Sequence, residues 1–226
     1  MIGNPLPERS DLNDALLKYF TMKYIFVAGA PGSKWSSVVK NIYYSADLDQ
    51  SDYSDARTYY HDASGNMDLM HLGAYFDPGM EFDLPPNLFS LSKDALEDIF
   101  DSAFTGSGIK IIKSHIFADN VNFLKACWPD CPIVLVHRPD DACLGWWVKC
   151  GHFDITYPDY HEYYQDLRTM AGIIQRQNRG IIASSMIYPS QNPLTNLELC
   201  TMLGIEQPPA EYSQDYGQSD VRVTVI

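Results

Sequence analysis

The chain has 226 residues, 46% of them hydrophobic and 13% aromatic, and a formal net charge of −13. That length and composition suit one α/β domain with a sizeable core and exclude a disordered chain. The acidic balance argues against a general binder of nucleic acid or anionic membranes, and no run of 18 apolar residues marks a membrane span.

The first residues, MIGNPLPERSDLND, carry no basic-then-apolar leader pattern. Five cysteines (Cys127, Cys131, Cys143, Cys150 and Cys200) form no metal-type pairs, and a disulfide framework does not suit this size. Reduced thiols and a cytoplasmic setting are expected. In so acidic a chain the few lysines and arginines beside turns carry more weight than usual, because an anionic ligand needs them gathered at its site.

In chain order, residues 1–22 read as an N-terminal arm with one short helix capped by Asp11. Residues 23–37, KYIFVAGAPGSKWSS, read as a strand over 23–28, a sharp break at Gly29, Pro31 and Gly32, and a helix over 34–46. Trp35, Val38, Val39 and Ile42 are spaced for one helix face, and Ser33, Ser36 or Ser37 is placed to cap its start. A strand feeding a tight turn into a helix start suits an anion. Gly32 permits close backbone approach, and Lys34 adds a cation. The ATPase pattern G-x-x-x-x-G-K-[ST] is not met: Gly29 precedes Lys34 by one residue too few, and Trp35 stands in the magnesium-ligating position. A plain turn that binds nothing is the alternative.

Residues 47–90 are rich in Asp, Ser, Tyr, Gly and Pro with weak periodicity, and read as a lid or acceptor-side wall or, equally, a surface excursion. His61 and His71 lie here without a metal-ligand spacing. Next come a helix over 92–104 capped by Ser92, a strand over 109–112 ending in Lys113, Ser114 and His115, and a helix over 118–127. An apolar strand over 132–136, expected to be buried on both faces, ends in His137 and Arg138. A helix begins near Asp140. A long helix over 158–178, a strand over 180–187 (GIIASSMI) and a helix over 193–203 complete the reading. Strands alternating with helices imply a central parallel sheet flanked by helices, in one domain spanning 1–226, with ligands beyond the carboxyl ends of the strands.

Residues 110–152, with Lys113-Ser114-His115 followed by Arg138-Pro139-Asp140-Asp141 and a helix bearing Trp146 and Trp147, resemble the central segment of the cytosolic sulfotransferases. The loop at 29–37 is similar to that family's Pro-Lys-Ser-Gly-Thr-Thr-Trp donor loop, with Trp35 matching its Trp and Gly32 its Gly. Residues 180–205 resemble its last strand and helix, ending in Leu203-Gly204-Ile205. The resemblance implies a P-loop-containing nucleotide hydrolase-like (sulfotransferase) fold. It also implies 3′-phosphoadenosine 5′-phosphosulfate (PAPS) as sulfuryl donor and PAP as product. The acceptor would be a small molecule or glycan bearing a hydroxyl or amine. His115 would be the general base, with Lys113 and Lys34 as further catalytic residues. Gly32, Ser33, Lys34, Trp35, Ser36, Ser37 and Arg138 would hold the donor, and no metal is needed. The family's donor-loop Lys falls at Ala30, Gly145 stands where it has a phosphate-binding Ser, and Arg176 and Arg179-Gly180 are a partial substitute for its last Arg-Lys-Gly segment. Two other readings stand beside this one: a nucleotide kinase-like phosphotransferase, and a non-catalytic PAP- or nucleotide-binding protein that keeps the fold.

Overall fold

The computed structural model describes residues 22–52, 72–80, 82–149, 166–185, 194–212 and 220–226. The expected N-terminal helix and residues 53–71 and 81 of the 47–90 stretch, including His61 and His71, lie outside them.

The architecture is α/β, built on a sheet of five strands. These are β1 (Tyr24–Gly29), β2 (Ala74–Tyr75), β3 (Lys110–Lys113), β4 (Ile133–His137) and β5 (Arg222–Val225), in the spatial order β2-β3-β1-β4-β5. The first four are parallel and β5 runs antiparallel at one edge. β1 lies at the centre because its six residues are all buried, and only a strand covered on both faces can be apolar throughout. The pleat sends Ile25 and Val27 to one face and Tyr24 and Phe26 to the other.

The helices cover both faces. α1 (Trp35–Lys40), α4 (Asp140–Lys149), the first half of α5 (Leu167–Ser185) and α6 (Asn196–Leu203) pack with Ile25 and Val27. α2 (Lys93–Asp101) and α3 (Val121–Cys127) pack with Tyr24 and Phe26. The second face is aromatic: Phe26 meets Phe117 at 5.5 Å and 89°, and Phe100 at 5.8 Å and 66°. Such edge-on pairs align the positive rim of one ring with the negative face of the next. Ser92 caps α2 by accepting from Ala95 N at 3.2 Å, and a reciprocal Thr195–Glu198 capping box opens α6, which Gly204 closes with φ 68°.

Several expectations are corrected. Residues 180–185 are not a strand but the end of α5, a continuous helix of 19 residues. An apolar run this short does not distinguish a strand from a buried helix turn. Here Ile181 is buried and Ile182 is 40% exposed, and Gly180 lets the helix approach the backbone of Ala118. The helix is described from Leu167, and its expected start near 158 lies outside the described residues. The first helix is shorter than 34–46 and passes into turns after Lys40. The helix expected over 118–127 is divided into a 3-10 turn (His115–Asp119) and α3, with Asn120 Nδ2 donating to Ile116 O at 2.7 Å between them. β2 and β5 were not foreseen. Among the described residues no helix is long and apolar enough to cross a membrane.

Two glycines of α5 test this helix. A Cβ at Gly172 meets nothing within 4 Å, whereas one at Gly180 stands 2.5 Å from Ala118 O. Gly172→Ala is expected to stabilise the protein by ~0.4–1 kcal/mol and Gly180→Ala to destabilise it by more than that. Urea denaturation of the two variants reads both signs.

Candidate functional site

The site is built where β1, β3 and β4 end. After Gly29 the chain turns through Ala30, Pro31 and Gly32, with Ser33 N donating to Ala30 O at 3.0 Å. Gly32 has φ 78°, and a Cβ on it would collide with the carbonyl of Cys143 in α4. The loop therefore lies against α4 because this position has no side chain. Lys34 follows in the left-handed region, with φ 65°. It occupies the N-cap of α1, and no side chain caps that helix. The expected Ser33, Ser36 or Ser37 cap is thus not formed, since the left-handed residue turns the chain into the helix directly. Ser33 is fully buried, and its Oγ has no hydrogen-bond partner among the described residues. Ser36 and Ser37 are half-buried in the first turn of α1. Lys34 reaches across to α4, where its Nζ sits 3.9 Å from the centre of the Trp146 ring, an attraction of cation to π-face.

Lys113 and His115 face the same side, as strand alternation suggests. Lys113 is fully buried, with its Nζ 5.8 Å from the Trp35 ring and 5.9 Å from the Tyr75 ring. His115 begins the 3-10 turn after β3. Its ring stacks on Trp35 at 4.0 Å and 20°, and meets Tyr75 edge-on at 5.6 Å. One face of the Trp35 indole, which the resemblance gives to the donor, is thus packed on the imidazole.

The tautomer of His115 follows from its partner. Nδ1 is hydrogen-bonded to Gly29 O, and a carbonyl only accepts, so Nδ1 carries the proton and Nε2 keeps its lone pair. Burial pushes the imidazole pKa down to about 3, against the opposing effect of the Gly29 bond, and the charge on Lys113 pushes the same way as burial. His115 is therefore neutral at neutral pH.

Sequence reasoning missed Asp77, which anchors this turn. Its fully buried carboxylate accepts from Ser114 Oγ at 2.8 Å, His115 N at 3.1 Å and Ile116 N at 3.4 Å through one oxygen, and its other oxygen lies 4.0 Å from His115 Nε2. Asp77 belongs to an irregular stretch, and no spacing links it to residues nearly forty positions later. The one local sign was the turn-forming Asp77-Pro78-Gly79.

Arg138, at the end of β4, does not pair with its neighbours Asp140 and Asp141. Its Nε donates to Asp220 Oδ2 at 2.7 Å and its Nη1 to Gly32 O at 3.3 Å. Asn178 of α5 holds the turn, donating to Arg138 O at 2.8 Å and Asp140 Oδ1 at 2.7 Å. Gly145 is exposed with open space around it, so a serine would fit there. Arg176 forms a two-bond pair with Asp119, at 2.9 and 3.1 Å. Trp147 is core, whereas Trp146 carries Lys34. Burial lowers the His137 pKa. No cluster of three metal-ligating side chains occurs among the described residues.

The loop thus joins the candidates into one neighbourhood: Gly29 O holds His115, Trp35 covers it, and Gly32 O reaches Arg138. The buried imidazole also makes stability depend on pH. The unfolded chain protonates this group near 6.5, but the folded one only near 3. The unfolded state therefore binds more protons between these values, and stability falls as pH drops through that window. Urea midpoints at pH 7.5 and 4.5 should fall less for His115→Gln, which still offers a donor to Gly29 O, than for the unsubstituted protein.

No family model, curated protein or solved structure matches the chain, so the site's chemistry rests on its own residues and their geometry.

Proposed function

We propose that the protein transfers a sulfuryl group from PAPS to a hydroxyl or amine of a small-molecule or glycan acceptor, on the sulfotransferase variant of the P-loop nucleotide hydrolase fold. The observation that carries this reading is His115. Its Nδ1–H is committed to Gly29 O, which leaves a neutral Nε2 at neutral pH beside the buried Lys113, at the carboxyl end of the central strands. An unprotonated Nε2 is the form a general base needs. Burial holds its pKa at about 3, and the negative charge of a bound donor raises it toward the range in which it takes the proton from an attacking hydroxyl.

The loop fits a donor nucleotide in one specific respect: the buried Ser33 Oγ has bonding capacity that no described residue meets. Gly32, Ser33, Lys34, Ser36 and Ser37 would hold the 5′-phosphosulfate end, and Arg138 the 3′-phosphate. When bound, PAPS supplies a sulfuryl group whose sulfur–oxygen bond to the phosphate breaks as the acceptor oxygen bonds to sulfur. The acceptor's proton goes to His115 Nε2. Lys113 steadies charge on the transferring group or bridging oxygen. No metal is required, because positioning and charge stabilisation dominate such transfers.

A second reading draws on a different observation. Trp35 is packed on His115, and adenine stacking on that face requires the indole to leave it. In that packing His115 is buried with its pKa held down at about 3, a weak base, as suits a protein that kept the fold and binds PAP without turning over a donor.

Calorimetric titration of PAP in magnesium-free buffer tests the donor site. The protein should bind PAP, and Arg138→Ala should bind it much more weakly. Sulfuryl transfer to a panel of hydroxyl and amine acceptors should then fall ~10²–10⁴-fold in His115→Gln, whose amide still offers a donor to Gly29 O, while PAP still binds. PAP binding with no transfer to any acceptor favours the second reading, and failure to bind PAP removes both.

A further inference from the structure

A guanidinium grips a phosphate through two adjacent N–H groups, along either its Nε/Nη2 edge or its Nη1/Nη2 edge. In Arg138 one donor of each edge is engaged. Asp220 Oδ2 sits on Nε at 2.7 Å, and Gly32 O on Nη1 at 3.3 Å. The Arg138 side chain is 10% exposed and that of Asp220 34%, so the cation is sunk in the protein and the carboxylate is the more exposed partner. The contact is set by the backbone. β5 pairs antiparallel with β4 so that Arg222 registers with His137, and this ladder carries Asp220 alongside the turn that bears Arg138.

We propose that Asp220 determines how the Arg138 site discriminates among nucleotides: its carboxylate is an internal competitor for the position of the ligand's 3′-phosphate. The inference rests on the reading of Arg138 as the residue that binds that phosphate. A 3′-phosphate can take the Nε/Nη2 edge only if Asp220 withdraws, and it then lies near a like charge. A nucleotide without a 3′-phosphate meets neither penalty. Asp220 therefore lowers affinity for 3′-phosphorylated nucleotides selectively. Its return to Arg138 as the ligand leaves also favours release of the desulfated donor, and product release is the slow step of many enzymes.

The test compares PAP with adenosine 5′-monophosphate, which lacks the 3′-phosphate, on the full chain, Asp220→Asn and Asp220→Ala. The asparagine keeps shape and an oxygen acceptor for Nε–H while removing the charge, and the alanine repeats the comparison if the amide perturbs β5. Thermal melts of each variant establish that it is folded. Like-charge juxtaposition is costly, so PAP affinity should rise about tenfold or more in both variants while that of adenosine 5′-monophosphate stays within about twofold. Unchanged or weaker PAP binding overturns the inference and makes Asp220 a support that orients Arg138, and equal gains for both nucleotides overturn it too. If neither nucleotide binds any of the three proteins, the donor-site reading falls and this inference with it. PAP binding without the gain in Asp220→Asn sinks this inference alone.

Discussion

The site depends on the hydrogen bond from His115 Nδ1–H to Gly29 O. It joins the end of β3 to the end of the central strand β1 and decides where the imidazole proton resides. It also fixes the ring plane on which Trp35 stacks. An imidazole so deeply buried is stable only neutral and with its N–H satisfied. The Asp77 carboxylate supports the same turn from the other side by accepting from Ser114 and from two successive amides. Together they set His115 through the backbone, so its position does not rest on side-chain packing alone.

The cations at this end of the sheet are each held by a neighbour that a ligand must reckon with. Lys34 lies over Trp146, Lys113 lies near two aromatic rings, and Arg138 is paired with Asp220. In a chain of net charge −13, such arrangement keeps the few positive groups in place against a surrounding negative field. A ligand entering the loop exchanges these contacts for its own, so its affinity reports a difference between two sets of interactions.

Much of the fold was legible because burial on both sides of a strand leaves an unmistakable mark. Ile133, Val134, Leu135 and Val136 form an unbroken apolar run, and the first strand and the Ser92 cap declare themselves through local chemistry. The remainder was hidden for equally local reasons. Residues 180–185 satisfy strand and helix patterns alike, and the close approach of Gly180 to Ala118 distinguishes them only once the chain is folded. β2 has two residues, too few for any period, and β5 alternates arginine and threonine with valine as an edge strand does.

For the site, sequence alone determined which residue types end the strands: the glycine-bearing turn before Lys34 and Trp35, the Lys113-Ser114-His115 triplet, and Arg138. These follow from strand ends meeting breakers, a property of neighbouring residues. Tertiary structure alone decided their partners. That Trp35 covers His115, that Asp77 and not a closer acid anchors the turn, and that Asp220 and not Asp140 takes Arg138 depend on contacts between segments distant in the chain. No local pattern encodes such contacts, because the pairing of β2 with β3 and of β5 with β4 brings these residues together only when the sheet assembles.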